Sequence, residues 1–374
     1  MRTIQHNQSC TVIPPHIMRH VAEHGDDETR EKATATLLDT ERIALDRSQF
    51  LIQAPDAAAA HPAKRRLVYD ARHRRTLPGK LVLDDNHTGS TDIEAVEAFD
   101  GCGATYDFYA KAFGRHSIDD KGLPLLSTVH YGTNFDNAMW NGKQMVYGDG
   151  DGKLFNRFTI ALDVIAHELT HGVTQFTAAL EYRDQSGALN EHLSDAFGIM
   201  VKQWMLGQTA AQSDWLIGAG LLAAGVRGNA IRSMKAPGTA YDDPSLGRDP
   251  QPAHMRNYVT SADDDGGVHI NSGIPNHAFY LIATGIGGNA WLGAGRIWYR
   301  VLKTQLFPHA GFPDFASATT VAAGAIYGIG STVQTTVAEA WSAVGLPVPP
   351  SLLRKRRPAK RAKWRNRPHL PAAA

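Results

Sequence analysis

The sequence predicts an α+β fold of two lobes, a β-rich one followed by a helical one, which meet at a helix that bears two histidines. Residues 67–152 alternate apolar and polar side chains and are interrupted by Gly, Pro and Asp, as expected of short strands and turns. From Phe155 onward apolar residues recur at helical spacing. Strands followed by helices are typical of an α+β architecture with a cleft between its lobes.

Composition divides the 374 residues into four parts. The average is that of an ordinary globular protein, 43% hydrophobic and 20% charged with a formal net charge of +1. Lys and Arg are concentrated near the C-terminus, in a segment without apolar periodicity that we expect to be disordered. We predict an N-terminal segment with its linker at 1–60, a β-rich lobe at 61–166, a helical lobe at 167–347 and a basic, Pro-rich tail at 348–374.

The N-terminal segment is predicted to hold two helices. Apolar residues follow Pro14-Pro15 at helical spacing as far as Gly25, and residues 26–51 begin with acidic residues and interleave charges four apart. Residues 54–66 are rich in Ala and Pro and end in basic residues, which is typical of an exposed linker that proteases can cut.

Short strands and one helix are predicted for the β-rich lobe. Residues 67–85 alternate apolar and polar side chains on both sides of Pro78-Gly79, as expected of a hairpin. Residues 92–113 place aromatic side chains at helical spacing. Two further short strands flank Asn137–Trp140, a segment that we expect at a sheet edge. In the second half we predict helices over 159–178, 188–206, 214–225, 272–287, 290–304, 313–328 and 331–345.

Three residues form a candidate zinc site. His167 and His171 are four residues apart, so on a helix they lie on one face and can bind the same ion. Glu191, twenty residues after His171, can add a carboxylate from a second helix and leave a position for water. Glu168 follows a ligand directly and should point to the side of the metal where that water lies.

Asp195 lies one helical turn after Glu191 and is placed to accept the free N–H of a ligating histidine. A pair of surface acids is the alternative explanation, but Leu193, Ala196 and Phe197 alternate with them and favour a buried face. His192 is rotated by about 100° from Glu191 on the helix, so we do not expect it to reach the zinc.

Four strings in order, NAMWNGKQMVYGDGDG, DVIAHELTHGVT, SGALNEHLSDAFG and DDDGGVHINSGIPNHAFY, resemble the thermolysin family of neutral zinc metalloproteases. The resemblance runs from about Leu67 to Leu346 and implies the two-lobe thermolysin-like fold, with the zinc helix at the cleft. CTVIPPHI resembles the short propeptide of the protealysin branch. The chain is therefore expected to be a zinc endopeptidase made as a latent precursor.

The resemblance also implies catalytic roles. Zinc would be held by His167, His171 and Glu191, and Glu168 would take a proton from the attacking water and pass it to the leaving nitrogen. Oxyanion stabilisation and the orientation of its donors would fall to His269, Tyr182 and Asp264. Asp195 and Asn190 would each orient one ligand histidine.

Substrate-binding residues follow from the same resemblance. Arg232 would bind a substrate carbonyl, while Asn137 and the backbone of Ala138 would pair with the peptide as an added strand. An apolar pocket would give a preference for a bulky hydrophobic residue just after the scissile bond; ordinary core packing is the alternative for one or two of its residues. The pocket residues are Phe155, Phe158, Val164, Ile217 and Ile231.

The sequence departs from the family at its paired calcium site. Asp163 and Asp214 match, but Lys202, Leu216 and Ala219 stand where carboxylates would be. A lysine ammonium would repel Ca²⁺ and could replace one cation, so we predict that the double calcium site is absent.

The propeptide is expected to act as an intramolecular inhibitor, with Pro14-Pro15-His16-Ile17 in the cleft, because a rigid Pro-Pro segment loses little entropy on binding. Cleavage within 54–66 would release the enzyme. A less favoured alternative is that Cys10 or His16 binds the zinc, in which case Cys10→Ser would raise precursor activity.

Partners and location are less constrained. The chain has no run of about 18 apolar residues, so no membrane span is expected. The N-terminus has no apolar core of a signal peptide, so we expect a cytoplasmic precursor, with signal-independent secretion as the alternative. Polypeptides are the expected substrates and a monomer the expected state.

We expect the basic tail to be simply solvated rather than to bind nucleic acid or an anionic surface, because Trp364 is the only aromatic residue among its basic residues.

Two further functions stay open besides the endopeptidase. A catalytically silent protease fold used for binding is a second possible function, and a peptidase restricted to short peptides a third.

Overall fold

A computed structural model describes residues 10–52 and 63–353, without the side chains of 46–52. Most of the predicted linker at 54–66 and the tail beyond residue 353 lie outside the described residues.

Two helices form the N-terminal segment, here defined as residues 10–52. Helix α1 spans Pro15–His24 and begins at a proline, whose fixed φ and missing N–H suit a first helical position. It buries Ile17, Met18 and Val21 on one face. Helix α2, Asp27–Ile52, packs against α1.

A five-stranded mixed sheet forms the β-rich lobe, with the strand order β2-β1-β3-β5-β4. Strands β1, β3 and β5 are parallel to one another, whereas β2 and β4 are antiparallel neighbours at the two edges. The predicted 67–85 hairpin and the edge position of Asn137–Trp140 are both confirmed. The elements are β1 Arg66–Asp70, β2 Lys80–Asp84, α3 Ile93–Phe113, β3 Leu125–Val129, β4 Ala138–Trp140 and β5 Met145–Tyr147.

Helices dominate the second half. They are α4 Leu162–Gln175, α5 Asp184–Leu206, α6 Asp264–Asn271, α7 Gly273–Ile286, α8 Ala294–Thr304, α9 Phe312–Tyr327 and α10 Thr332–Ala343. Between α5 and α6 run two small hairpins, made by β6 Leu216–Ile217 with β7 Arg232–Ser233 and by β8 Asp242–Asp243 with β9 Gly247–Arg248.

The predicted helix over 214–225 is wrong. Gly218 and Gly220 adopt φ of 73° and 93°, left-handed conformations that end any helix, and the segment forms β6 and turns instead.

Helix α4 lies where the two halves meet, since it packs against α5, α3 and the edge strand β4. It is continuous through residue 166, at which the sequence placed the lobe boundary. Its residues from Asp163 to Thr174 are buried, so every polar side chain on this stretch needs a partner inside the protein. Among the described residues, none of the helices is long and apolar enough to cross a membrane.

Candidate active site

Helices α4 and α5 bring three ligand-type side chains together. His167 and His171 project from α4, and Glu191 projects from α5; all three are fully buried. The Nε2 atoms of the two histidines lie 3.1 Å apart, and Glu191 oxygens lie 3.5 Å and 3.3 Å from them. Of the groups that could hold a metal in the described chain, this is the fully buried one.

The hydrogen-bond partners of these histidines fit a bound cation. His167 Nδ1 lies 2.8 Å from Asp195 Oδ1, and His171 Nδ1 lies 2.9 Å from Asn190 Oδ1. Because both partners accept hydrogen bonds, each Nδ1 carries a proton, and Nε2 is the ring atom that can bind a cation once it has given up its own proton. Two imidazoles and a carboxylate are a known ligand set of catalytic zinc. The residues therefore fit Zn²⁺.

Glu168 is held beside these ligands with one oxygen free. Its Oε2 accepts a hydrogen bond of 2.8 Å from the backbone N–H of Trp140, whereas Oε1 is buried without a hydrogen-bond partner within the described structure. Burial raises the pKa of Glu168 to about 8, and the charge of Glu191 adds to this. The two positive charges of a bound zinc would lower this pKa again.

Two hydrogen-bond donors face the ligands from the helical half. Tyr182 donates to Glu191 Oε1, and its hydroxyl lies 3.2 Å from His269 Nε2. Burial alone would lower the pKa of His269, but Asp264 and Glu191 outweigh it and raise the pKa to about 9. Burial raises the pKa of the Tyr182 hydroxyl well above its usual value. Both groups therefore keep their protons at neutral pH.

A left-handed turn positions His269. Asp264 holds the ring, with Oδ1 2.5 Å from Nδ1, and accepts the His269 N–H at 3.0 Å. Residues 264–267 all have positive φ. At Gly266 the φ of 93° disfavours any other residue, and an added Cβ would lie 3.0 Å from Asp184 Cα, so this close turn requires glycine.

A buried ion pair supports His167 from behind. Arg232 donates to both oxygens of Asp195, at 2.9 Å and 2.8 Å, and Asp195 in turn accepts from His167. Although burial acts in the opposite direction, Arg232 and His167 hold the pKa of Asp195 well below its usual range. Asp195 therefore stays ionised and fixes the tautomer of His167.

Sequence reasoning missed one further partner of Asp195. Asn276 Nδ2 donates to Asp195 Oδ2 at 2.8 Å, and Asn276 Oδ1 lies 2.8 Å from His192 Nδ1. His192 Nε2 accepts from Trp298 Nε1 at 2.8 Å, so His192 serves this network and lies outside the metal group. The string SGIPN contains Asn276, but its spacing gives no sign of this contact.

The N-terminal segment occupies the groove along β4. Val12 N donates to Ala138 O at 3.1 Å, and Thr11 pairs antiparallel with Met139. The Asn137 side chain accepts from Ile13 N at 3.0 Å and donates to Ile13 O at 3.4 Å. Residues 11–13 thus add a strand to the edge of the sheet.

Two carbonyls of this added strand meet charged donors. Thr11 O lies 3.0 Å from His269 Nε2, and Val12 O accepts from Arg232 Nη1 at 2.9 Å. The paired residues 11–13 lie just before the predicted Pro14–Ile17, because Pro15 already begins α1.

The five apolar candidates are all at most 1% exposed: Phe155, Phe158, Val164, Ile217 and Ile231. They belong to the same hydrophobic cluster as Val12 and Ile13 of the added strand. Ile217 pairs with Arg232 in the β6–β7 hairpin, which places this apolar group next to the arginine.

Cys10 and His16 lie at either side of the added strand. Cys10 is buried against Tyr182 and Val268, and His16 Nε2 lies 3.1 Å from the Tyr241 hydroxyl. Neither belongs to the metal group found among the described residues. Zinc binding by either residue stays a prediction, to be tested with Cys10→Ser.

At the predicted calcium position, Lys202 lies among oxygen atoms. Its Nζ is 3.3 Å from Asp163 Oδ2, 2.9 Å from Asp214 Oδ2 and 3.1 Å from the Leu216 carbonyl. The ammonium therefore contacts both acids that match the family's calcium ligands.

Models of three protein families match the chain. They describe the protealysin propeptide (residues 10–46), the thermolysin metallopeptidase catalytic domain (31–175) and its alpha-helical domain (178–346). The precursor of protealysin, a metalloproteinase from Serratia proteamaculans, has a similar structure, with a TM-score of 0.82 and 49% identity over 90% of this chain and 99% of that one. The predicted thermolysin-like fold is confirmed.

Two relatives extend over nearly the whole chain. An extracellular metalloprotease of Pectobacterium carotovorum subsp. carotovorum is 51% identical over 91% of this chain and 97% of its own length. Protease PrtS of Photorhabdus sp. (strain Az29) is 43% identical over 92% of this chain and 94% of its own length. Because so similar a relative is named extracellular, the expectation of a cytoplasmic precursor is wrong. The chain belongs to the thermolysin family of zinc metalloendopeptidases and carries a protealysin-type propeptide.

Proposed function

We propose that residues 11–13 keep this endopeptidase latent by taking the place of a peptide substrate, and that cleavage within 54–66 releases it. The main-chain contacts of the added strand carry this proposal. His269 and Arg232, which would bind substrate carbonyls, already contact the carbonyls of Thr11 and Val12. A substrate strand and the propeptide strand would compete for the same edge of β4.

Peptide hydrolysis would depend on the groups around the metal ligands. Zinc held by His167, His171 and Glu191 would supply a water of lowered pKa and would polarise the substrate carbonyl. Glu168 takes the proton of the attacking water, through the Oε1 that lacks a partner in the described structure, and passes it to the leaving nitrogen.

His269 and Tyr182 would stabilise the oxyanion of the tetrahedral intermediate. Each keeps a proton at neutral pH, and their donor atoms lie 3.2 Å apart on the same side of the ligands. One such donor is typically worth about 2.7–4 kcal/mol of transition-state stabilisation. Asp264 holds His269 in place for this task.

Substrate selection would follow from the groove. Asn137 and Ala138 would pair with the peptide backbone, and Arg232 would bind a carbonyl. The five apolar residues beside Arg232 would accept a bulky hydrophobic side chain just after the scissile bond. The burial of Val12 and Ile13 in the same cluster supports this preference.

Asn137→Ala is expected to raise KM for extended peptides about tenfold while changing kcat less. The substitution removes two hydrogen bonds to the bound backbone, each worth about 0.5–1.5 kcal/mol. Steady-state kinetics of the matured enzyme on a long and a short peptide would test this. An equal loss on a short peptide that does not reach Asn137 would contradict the strand-pairing role.

The primary experiment incubates the full-length protein with casein, with and without a zinc chelator, while mass spectrometry follows the chain. We expect casein cleavage together with loss of the propeptide, and no cleavage of either kind with the chelator. If the chain binds one zinc yet cuts nothing, even after residues 1–66 are removed, it is a catalytically silent protease fold.

We further propose that Lys202 replaces a calcium ion. Its ammonium supplies a positive charge between Asp163 and Asp214. The melting temperature of the wild-type protein should therefore not change with added Ca²⁺. Lys202→Glu should lower the melting temperature, and Ca²⁺ should restore part of the loss. A wild-type protein stabilised by Ca²⁺ would overturn this assignment.

We also propose that the enzyme acts outside the cell, as the name of its Pectobacterium relative says of that protein. We propose a monomer, which size-exclusion chromatography would test. Whether the basic residues after 353 bind an anionic surface concerns a segment outside the described residues.

A further inference from the structure

A second cluster of ligand-type side chains lies at one end of the mixed sheet. Strands β1, β3 and β5 are parallel, so the loops that follow them emerge at the same end of the sheet. His73, His130 and Asp149 lie on these three loops. The His73 N–H donates to the His130 carbonyl at 2.9 Å, which holds two of the loops together.

The beginning of α3 adds two carboxylates at this end of the sheet. Asp92 caps the helix by accepting the Ala95 N–H at 3.1 Å, which leaves its other oxygen 3.0 Å from His130 Nε2. Ligand atoms of Asp92, Glu94 and His130 lie within 4.8 Å of one another. This group shares no residue with the catalytic ligands.

We propose that Asp92, Glu94 and His130 form a second metal site, which binds a divalent first-row ion such as Zn²⁺. One imidazole and two carboxylates are a donor set that zinc and manganese accept. The three side chains are partly buried, so an ion can reach them from solvent. The site would be structural, because it ties the start of α3 to the loop after β3.

Asp149 supports this assignment from the far side of the imidazole. Its Oδ1 lies 2.9 Å from His130 Nδ1, so it can accept that N–H and leave Nε2 as the ligand atom. A carboxylate on the second nitrogen is the usual partner of a metal-bound histidine. His73 lies at the rim, 3.4 Å from Asp149 Oδ2.

Charge gives a further argument. Asp92, Glu94 and Asp149 are three carboxylates around the ring of His130, which is 18% exposed. A protonated His130 would neutralise one of them and leave the cluster negative. A dication in place of the Nε2 proton would neutralise more of this charge at the same position.

The test uses full-length Glu168→Gln protein, which should not cleave itself and keeps the catalytic ligands. Its catalytic site is first loaded with one equivalent of zinc, and further Zn²⁺ is then titrated by calorimetry, with metal analysis after desalting. We expect a second equivalent to bind and to raise the melting temperature.

Three variants make the assignment falsifiable. In that background, Glu94→Gln should remove the second equivalent while leaving the Asp92–His130–Asp149 hydrogen bonds in place, so misfolding is not a concern. Asp149→Asn should lower the affinity of the second site for Zn²⁺ about 10- to 100-fold. Glu41→Gln, at an exposed glutamate on α2, should have no effect. No second equivalent in the parent, or one that survives Glu94→Gln, would overturn the proposal and leave His130 as a cation paired with two aspartates.

Discussion

Glu168→Gln should lower kcat/KM for protein substrates by about 10²- to 10⁴-fold, the usual contribution of a general base. Glutamine has the shape of glutamate, and its carbonyl oxygen can still accept the Trp140 N–H that now holds Oε2. It cannot take a proton from water. The same substitution should stop removal of the propeptide, if maturation is the work of this site.

Zinc content separates this effect from loss of the metal. Glu168 is not among the three grouped ligands, so metal analysis should find the same zinc per chain in the variant and the wild type. Glu339→Gln, at an exposed glutamate on α10, is the matched control and should retain full activity. Activity of the Glu168 variant within tenfold of the wild type would exclude this residue as the base.

Mixing the two proteins tests how maturation occurs. If wild type trims the Glu168→Gln chain, cleavage takes place between molecules. A variant that stays intact beside active wild type would mean that each chain cuts itself.

The metal group could be predicted because its geometry is local. His167 and His171 are one turn apart on α4, and the distance between their Nε2 atoms follows from the helix. Glu191 required the further inference that a second helix packs alongside. The propeptide contacts depend instead on a strand pairing across more than a hundred residues, from Val12 to Ala138, which no local pattern encodes. Sequence reasoning therefore placed Pro14–Ile17 in the cleft, whereas the residues that pair with β4 are 11–13.

The failed helix over 214–225 has a different cause. Apolar residues at helical spacing outweighed Gly218 and Gly220 in the prediction, but both glycines adopt left-handed backbone conformations. Asn276 was missed because its partners, Asp195 and His192, lie on another helix. Buried hydrogen-bond networks between helices depend on side-chain directions that one sequence does not reveal.

Acidification is expected to loosen the propeptide through His16. The ring lies on α1 with Nε2 3.1 Å from the Tyr241 hydroxyl, and its Nδ1 is buried without a partner within the described structure. Burial lowers the pKa of His16 from 6.5 to about 4. Asp264 opposes this shift, while His269, Arg232 and Arg19 add to it.

The sign of the effect follows from this direction. Docking of the propeptide favours the neutral His16 ring. The free energy that His16 contributes to docking is therefore fully present above pH 6.5 and is lost as the pH falls towards 4. Between pH 7 and 5 the loss amounts to about 2 kcal/mol, or about a 25-fold rise in the fraction of undocked propeptide. Most carboxylates remain ionised over this range, so the ion pairs of α2 contribute little to the change.

Hydrogen exchange of α1 in the full-length Glu168→Gln protein would measure this undocking, after correction for the intrinsic pH dependence of exchange. Adding His16→Gln supplies the control, because glutamine can still hydrogen bond to Tyr241 but does not titrate. The fraction of undocked α1 should rise about 25-fold from pH 7 to 5 with His16 and stay nearly constant with glutamine. Equal pH dependence in both proteins would assign the acid response to other groups. A response confined to His16 would mean that mild acid weakens the docking of α1 before any peptide bond is cut, so that latency depends in part on the protonation of one propeptide side chain.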